Sequence, residues 1–317
     1  MRPSKGGAGA VNAPAPLRLI RARVFPPRRR SPTDTALLGY LLVIPVVAVL
    51  VLLVGYPFVY SVWVSFTSTT VGAVGGFVGF ANYLTLVEDP TFRVALVNTV
   101  IYVAAVEILK LSLGLAVASL LMQPLRGRNL WRGLILLPWA MPGFVAYILW
   151  KLIYDPTDGA LNIVLLGLGL KSPISFLGDP TLALPSVIVL TVWQGFPFWV
   201  IMFLAAMQGV SKEYYEAAKI DGAGGWSRFV HITIPSIRST IWIVLMLSTI
   251  VTANAFGAIW LTTQGGPANA TTIIPIFAYL GLQNLRIGSA AADSLVLVPI
   301  LLAFLALVRW RMVRADA

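Results

Sequence analysis

The sequence contains no cysteine and only one histidine, His231, among its 317 residues. Without cysteine the chain can form no disulfide, no cysteine-ligated zinc site and no thiol nucleophile. A single histidine also excludes a metal site built from several histidines. The phosphate-binding loop G-x-x-x-x-G-K-[ST] is missing too, because the nearest string, Gly169-Leu-Lys171-Ser172, has no glycine before its lysine.

Charge is the other scarce property of this chain. Charged residues make up 11% of the sequence, hydrophobic residues 58%, and the mean hydropathy is +0.85. A soluble domain carries about 25% charged residues. The apolar runs are long and unbroken, and the alternating pattern of barrel strands is not seen. The composition therefore predicts an all-α integral membrane protein.

Six apolar segments are long enough to cross a bilayer, which takes about 20 residues. Pro138 and Pro142 lie inside the third segment and predict kinks there. The predicted segments are Ala36–Phe66, Val94–Met122, Gly133–Tyr154, Thr181–Met207, Ser239–Thr263 and Ala291–Val308.

The basic residues are sorted by side of the membrane. The N-terminal tail (1–35), the 123–132 loop, the 208–238 loop and the last nine residues hold eight, three, four and three Lys or Arg, 18 of the 23 in the chain. Because basic loops stay in the cytoplasm, both termini are predicted to be cytoplasmic. The net charge of +11 is thereby explained by membrane orientation, and no nucleic-acid partner is expected. Residues 1–35 are predicted to be a disordered basic tail.

A polar island, Glu213–Pro235, interrupts the apolar second half of the chain. Ser211 is a candidate N-cap for a helix over Lys212–Ile220, and Asp221-Gly222 is expected to end that helix. A second short helix is predicted over Trp226–Ile234. A polar helix–turn–helix cannot remain in lipid, so it should project into the cytoplasm as a docking element. The simpler alternative is an ordinary connecting loop.

The island carries a recognisable motif. Glu216-Ala217-Ala218, three residues, Gly222, nine residues and Ile232-x-Ile234-Pro235 resemble the EAA loop of bacterial ABC importer permeases. The one departure is Ile234, where leucine is usual.

The resemblance extends over most of the chain and narrows the family to the MalF/UgpA-type subunits of carbohydrate uptake ABC importers. The strings that carry it are Phe77-Val-Gly-Phe-Ala-Asn82-Tyr83, Asp89-Pro90-x-Phe92, Asn98-Thr99, Gly159-x-x-Asn162, Trp193-Gln-Gly195-Phe196-Pro197, Gly265-Gly266-Pro267 and Thr271-Thr272.

This resemblance implies a type I ABC importer (MetI-like) permease fold, N-in/C-in, in a bacterial cytoplasmic membrane. It implies the following parts: 36–93 as first helix and outer loop, 94–310 as permease core with the coupling loop at 211–235, and 311–317 as a cytoplasmic tail. The implied partners are a second homologous permease, two copies of a cytoplasmic ATPase, an extracytoplasmic sugar-binding protein and membrane lipid. ATP and Mg²⁺ would be used by the ATPase, so this chain is expected to bind no cofactor and not to be an enzyme.

Two sets of site residues are predicted. The residues expected to couple the permease to the ATPase are Glu216, Ala217, Ala218, Asp221, Gly222, Ala223 and Pro235. The residues expected to line the sugar path are Thr191, Gly195, Phe198, Ser248, Thr252 and Asn254. Their hydroxyl and amide groups suit sugar hydroxyls, but small and hydroxyl residues also mediate packing between membrane helices, so both readings stand.

Glu107 and Lys110 lie three residues apart within the second segment. We expect a structural ion pair, or a pair that faces a partner subunit, rather than a substrate site. Glycerol phosphate and a disaccharide would both suit the sequence, although a path short of Lys and Arg favours a neutral sugar. The competing function is a secondary transporter or channel for a small polar solute, although neither inverted repeats nor additional charges in the spans are evident.

Overall fold

The computed structural model describes residues 32–316, and this part of the chain is helical. It contains no β-strand, only two isolated bridges, Thr67–Phe77 and Thr70–Ala73. Most of the predicted basic tail lies outside the described residues. The chain divides into two units, one ending at Tyr56 and one beginning at Pro57.

The first unit contains helix α1, Pro32–Leu50, followed by a π-helical turn at Val51–Gly55. α1 begins four residues before the predicted start, because proline is well tolerated in the first turn of a helix. The first candidate membrane span covers Gly39–Ser65, and none of its most apolar window is buried.

The remaining helices follow in chain order. They are α2 Tyr56–Ser65, α3 Ala81–Glu88, α4 Pro90–Met122, α5 Arg128–Ala140, α6 Gly143–Ile153, α7 Ala160–Gly167, α8 Ala183–Gln208, α9 Lys212–Ile220, α10 Gly225–Arg228, α11 Ile234–Ala253, α12 Phe256–Thr262, α13 Ile274–Gln283, α14 Ile287–Leu295 and α15 Leu297–Asp316, the last of which runs through the predicted C-terminal tail.

The prediction of six spans is confirmed when α5 and α6 are counted as one broken span. Five helical segments of the described chain can cross a membrane: Gly39–Ser65, Pro90–Met122, Ala183–Gln208, Gly225–Ala253 and Ile287–Met312. α5 and α6 meet at an angle of 93°. The break falls at Met141, whose backbone is extended (φ −74°, ψ 137°) because the following Pro142 disfavours the helical conformation.

The predicted boundary between the docking element and the fifth span is wrong. α10, a π turn at Phe229–Thr233 and α11 form one segment, Gly225–Ala253, so the second loop helix is the beginning of the membrane helix. Pro235 lies in the first turn of α11, and the π turn before it accommodates a residue without an N–H. The span ends at Ala253, and most of the residues predicted beyond it belong to α12, Phe256–Thr262.

The centre of the second unit is the packing of α4 against α8. Gly114 of α4 lies against Trp199 and Phe203 of α8, both fully buried. A Cβ at Gly114 would lie 2.7 Å from Trp199 Cβ, so only glycine permits this approach.

Several motif asparagines hold loops in place. Asn98 of α4 donates to the backbone carbonyls of Asn269, Ala270 and Thr272 at 3.0–3.2 Å. Its neighbour Thr99 accepts a hydrogen bond from the N–H of Ile274 at 3.0 Å. Asn98 and Thr99 therefore attach to α4 the segment that comes before α13.

Asn162 does the same for the loop between α6 and α8. It is fully buried, donates to the carbonyls of Asp155 and Ile174, and accepts from the Ile174 N–H at 2.8 Å. The N–H groups of Asp158 and Thr157 bind the Asp155 carboxylate and lower its pKa. These bonds make the loop an ordered part of the fold.

Candidate functional site

A cavity of about 430 Å³ opens between α4, α5, α6, α8 and α11. Five of the six predicted path residues line it, although they come from two helices: Thr191, Gly195, Phe198, Ser248 and Thr252. The other lining residues are Lys110, Trp139, Tyr147, Gln194, Leu247, Val251 and Ala255. The structure thus brings these predicted residues of α8 and α11 together around one space.

Asn254 lies apart from this cavity. It is exposed at the end of α11, and its side chain donates to the Ile250 carbonyl at 2.8 Å. It lines a different cavity, of about 510 Å³, together with Phe256 and Tyr279. Its position therefore gives no support to a role in the same path.

Lys110, the lysine of a buried ion pair, lines the 430 Å³ cavity, while its partner Glu107 lines a separate cavity of about 370 Å³. The Lys110 ammonium lies 3.6 Å from Glu107 Oε1, and both residues are about 95% buried (5% and 4% exposed). Ser248 and Thr252 donate to the same carboxylate oxygen at 3.0 and 2.5 Å. Glu107 Oε2 is buried and has no hydrogen-bond partner among the described residues. A pair expected to be structural therefore also borders the predicted path.

The hydroxyl groups of the wall are already engaged. Ser248 accepts from Lys110 at 3.5 Å and from the Trp199 indole at 3.2 Å while it donates to Glu107. Thr252 accepts from Lys110 at 3.1 Å and donates to Glu107. A hydroxyl has a single proton to donate, so neither residue has a donor left for a ligand.

Thr191 is engaged in the same way. Its hydroxyl donates to the Val187 carbonyl at 2.8 Å, so in its contact with the Tyr102 hydroxyl, at 2.9 Å, it is the acceptor. The hydroxyls predicted from the sequence thus build the wall of the cavity.

Two polar side chains in the wall remain free. The Tyr147 hydroxyl and the Gln194 amide line the cavity without a hydrogen-bond partner in the described part of the chain. Beside them the rings of Trp139 and Phe198 stack with centroids 6.4 Å apart and planes at 26°. Free donors next to aromatic faces suit a sugar, whose hydroxyls and apolar ring face need both.

Sequence reasoning missed Tyr147, Gln194 and Trp139. Gln194 lies directly before the predicted Gly195 and three residues after Thr191, so helical periodicity alone would have found it. Tyr147 and Trp139 lie on either side of the break between α5 and α6. No pattern in the sequence showed that this break faces α8.

Gly195 has a specific structural reason to be glycine. A Cβ at this position would collide with the Lys110 side chain at Cε. The absence of a side chain in α8 therefore makes room for the lysine of α4.

The docking element keeps its predicted first helix and turn. Ser211 caps α9 by accepting from the Glu213 N–H at 3.3 Å. At the other end, Gly222 adopts φ +78°, and its backbone N–H donates to the Lys219 carbonyl. The backbone N–H of Ala223 donates to the Ala218 carbonyl at 2.8 Å. These two bonds form a Schellman motif, which needs a left-handed residue at Gly222.

The surface of this element is open. Of the predicted coupling residues, Glu216, Ala217, Asp221, Gly222 and Pro235 are exposed and Ala218 and Ala223 are half-buried. Two large apolar side chains are also exposed, Ile220 at 87% and Trp226 at 76%. Exposed apolar residues on a polar loop are typical of a surface that binds a partner protein.

The described residues contain no group of three or more His, Cys, Asp or Glu side chains that could hold a metal ion.

Residues 110–311 match the protein family described as "Binding-protein-dependent transport system inner membrane component". The trehalose/maltose transport system permease protein MalF of Thermococcus litoralis is 35% identical over 258 residues, which cover 80% of this chain and 87% of that protein. The diacetylchitobiose uptake system permease protein NgcF of Streptomyces coelicolor is 34% identical over 302 residues, 90% of this chain and 86% of that protein.

Among solved structures, a similar fold occurs in a bacterial ABC transporter involved in the import of the acidic polysaccharide alginate. The TM-score is 0.79 at 23% sequence identity, and the match covers 89% of this chain and 96% of that one. At this level of identity the likeness shows the fold, which is that of an ABC importer permease.

Proposed function

This chain belongs to the family of binding-protein-dependent transport system inner membrane components. From this family membership we propose that the chain conducts an uncharged sugar through the 430 Å³ cavity. As a multi-pass permease of an ABC importer in the cytoplasmic membrane, it is not the catalytic component, since ATP is hydrolysed by a separate subunit. Family membership removes the alternative of a secondary transporter or channel.

The composition of the cavity wall carries the proposal about the cargo. Lys110 is the one charged residue among the described lining residues, and Glu107 behind the wall compensates its charge at 3.6 Å, so the site offers no spare charge. Taking an anionic sugar into a neutral site within the membrane costs desolvation energy that no spare cation offsets. A neutral sugar meets free polar groups at Tyr147 and Gln194 and aromatic faces at Trp139 and Phe198. The relatives named for maltose, trehalose and diacetylchitobiose transport agree with this class of cargo.

The coupling loop is proposed to bind a cytoplasmic ATPase, two copies of which would serve this chain and a second homologous permease. The exposure of Ile220 and Trp226 supports a partner on the loop. The unburied apolar span Gly39–Ser65 supports a membrane partner, whether lipid or the second permease. An extracytoplasmic sugar-binding protein would deliver the cargo, while ATP and Mg²⁺ remain with the ATPase.

Replacing Gly222 by arginine tests the coupling role. The substitution forces a side chain onto a left-handed backbone at the end of α9, so the Schellman motif and the surface presented to the ATPase are both disturbed. We expect the variant to insert in the membrane in normal amounts while ATP-driven uptake into proteoliposomes falls at least about tenfold, the loss expected when an interface hot spot is removed.

Gly127→Arg is the matched control. Gly127 also has positive φ (72°) and open space around it, and it lies in the other predicted cytoplasmic loop. Normal uptake by Gly222→Arg, or equal loss in both variants, would contradict the assignment of the coupling surface.

A further inference from the structure

Another cavity, of about 520 Å³, lies at one end of the membrane helices. Its lining residues come from the last residue of α4, the first turns of α5, the end of α8, the link between α8 and α9, and the first turn of α9. They are Met122, Arg128, Arg132, Met207, Gln208, Val210, Lys212 and Tyr215. The cavity therefore lies where the membrane spans end, on the side predicted to be cytoplasmic.

Three basic residues and no acidic residue line this cavity in the described part of the chain. Arg128 and Arg132 lie one turn apart on the same face of α5. The Nε atoms of both are buried and have no hydrogen-bond partner among the described residues. Like charges close together with unsatisfied donors are unfavourable, and an anion with several oxygens relieves both problems.

The apolar part of the wall indicates where that anion comes from. Met122, Met207 and Val210 line the same cavity as the three cations. Basic pockets between membrane helices on the cytoplasmic side suit anionic phospholipid headgroups, whose phosphate meets the cations while the adjoining chains meet apolar side chains. We propose that this cavity binds a phosphate group, and that the source is an anionic phospholipid of the cytoplasmic leaflet.

This site adjoins the coupling element. Lys212 and Tyr215 belong to α9, and the Tyr215 hydroxyl is 3.0 Å from Thr233 Oγ1 in the π turn before α11. A phosphate held by Arg128, Arg132 and Lys212 links α5 to α9. The lipid thereby fixes the docking element to the membrane end of the bundle.

The experiment measures lipid binding to the full-length purified chain by native mass spectrometry. Dioleoylphosphatidylglycerol is compared with dioleoylphosphatidylcholine, and inorganic phosphate and glycerol 3-phosphate are added as competitors. We expect tighter binding of the anionic lipid and a loss of about fivefold for each of Arg128→Gln and Arg132→Gln, as follows from roughly 1 kcal/mol per basic residue near an anionic headgroup. Arg126→Gln is the matched control, because Arg126 lies two residues before Arg128 but does not line the cavity.

Displacement of the lipid by free phosphate or glycerol 3-phosphate at comparable concentrations would confirm a phosphate site but reassign its source to a soluble ligand. The proposal would be overturned if the two lipids bound equally well and neither phosphate competitor reduced their binding. An equal loss in Arg126→Gln would overturn it as well. Arg128→Lys and Arg132→Lys keep the charge, and retained binding by these variants shows that a loss in the glutamine variants comes from charge and not from misfolding.

Discussion

At the scale of single residues, the Glu107–Lys110 pair connects stability with the proposed path. Two charges within a membrane span are costly unless they are paired and hydrogen-bonded. Here Ser248 and Thr252 from another helix complete the network, and Gly195 leaves space for the lysine. The pair joins α4, α8 and α11 at the cavity wall.

Glu107→Gln is expected to destabilise the fold by about 3–5 kcal/mol, because it leaves the Lys110 charge buried without its partner. The double variant Glu107→Gln/Lys110→Met removes both charges and should recover most of that loss. Unfolding of the purified chain in detergent measures both values. Lys151→Met, at an exposed lysine in α6, is the control and should change little. A double variant no more stable than Glu107→Gln would contradict the idea that charge compensation is the main function of the pair.

At the scale of secondary-structure elements, asparagine side chains fix the loops in addition to the loops' own backbone hydrogen bonds. Asn162 fixes the loop between α6 and α8, and Asn98 fixes the segment before α13. The resemblance singled out both residues by motif. The structure supplies the reason, because Asn162 pairs with both backbone groups of Ile174 and Asn98 pairs with the carbonyls of Ala270 and Thr272.

Replacing Asn162 by alanine removes three hydrogen bonds from a fully buried position. At about 0.5–1.5 kcal/mol for each bond, we expect a loss of about 1.5–4.5 kcal/mol in the free energy of unfolding. Thermal unfolding in detergent checks this. Asn284→Ala, at an exposed asparagine, should have little effect, and an equal change in the two variants would show that the loop does not depend on Asn162.

At the scale of the whole molecule, orientation follows from the distribution of charge. The basic loops fall at one end of the spans and the loops with few cations at the other, as the positive-inside rule requires. The same end holds the docking element and the proposed phosphate site.

The orientation can be tested with reporter insertions. A reporter active only in the cytoplasm should work when inserted after Gly127 or fused to the C-terminus, and it should fail after Gly169, in the loop that follows α7. A reporter active only outside should give the opposite pattern. Gly127 and Gly169 both have open space around them, so insertion should disturb the fold little. Activity of one reporter at both loops would contradict the predicted topology.

The sequence by itself determined the properties that depend on local composition. The number of spans follows from hydropathy, and the orientation follows from the basic loops. The family follows from a spaced motif, and the bounds of α9 follow from the residues that begin and end a helix. The tertiary structure decided which side chains share a space. Lys110 and Thr252 are 142 positions apart, and Tyr102 and Thr191 are 89 apart, so no local pattern links them. The prolines at 138 and 142 predicted a kink between α5 and α6, but not that the break faces α8. That placement, the continuity of α10 with α11 and the use of the path hydroxyls within the wall depend on helix packing, which the order of residues along the chain does not show.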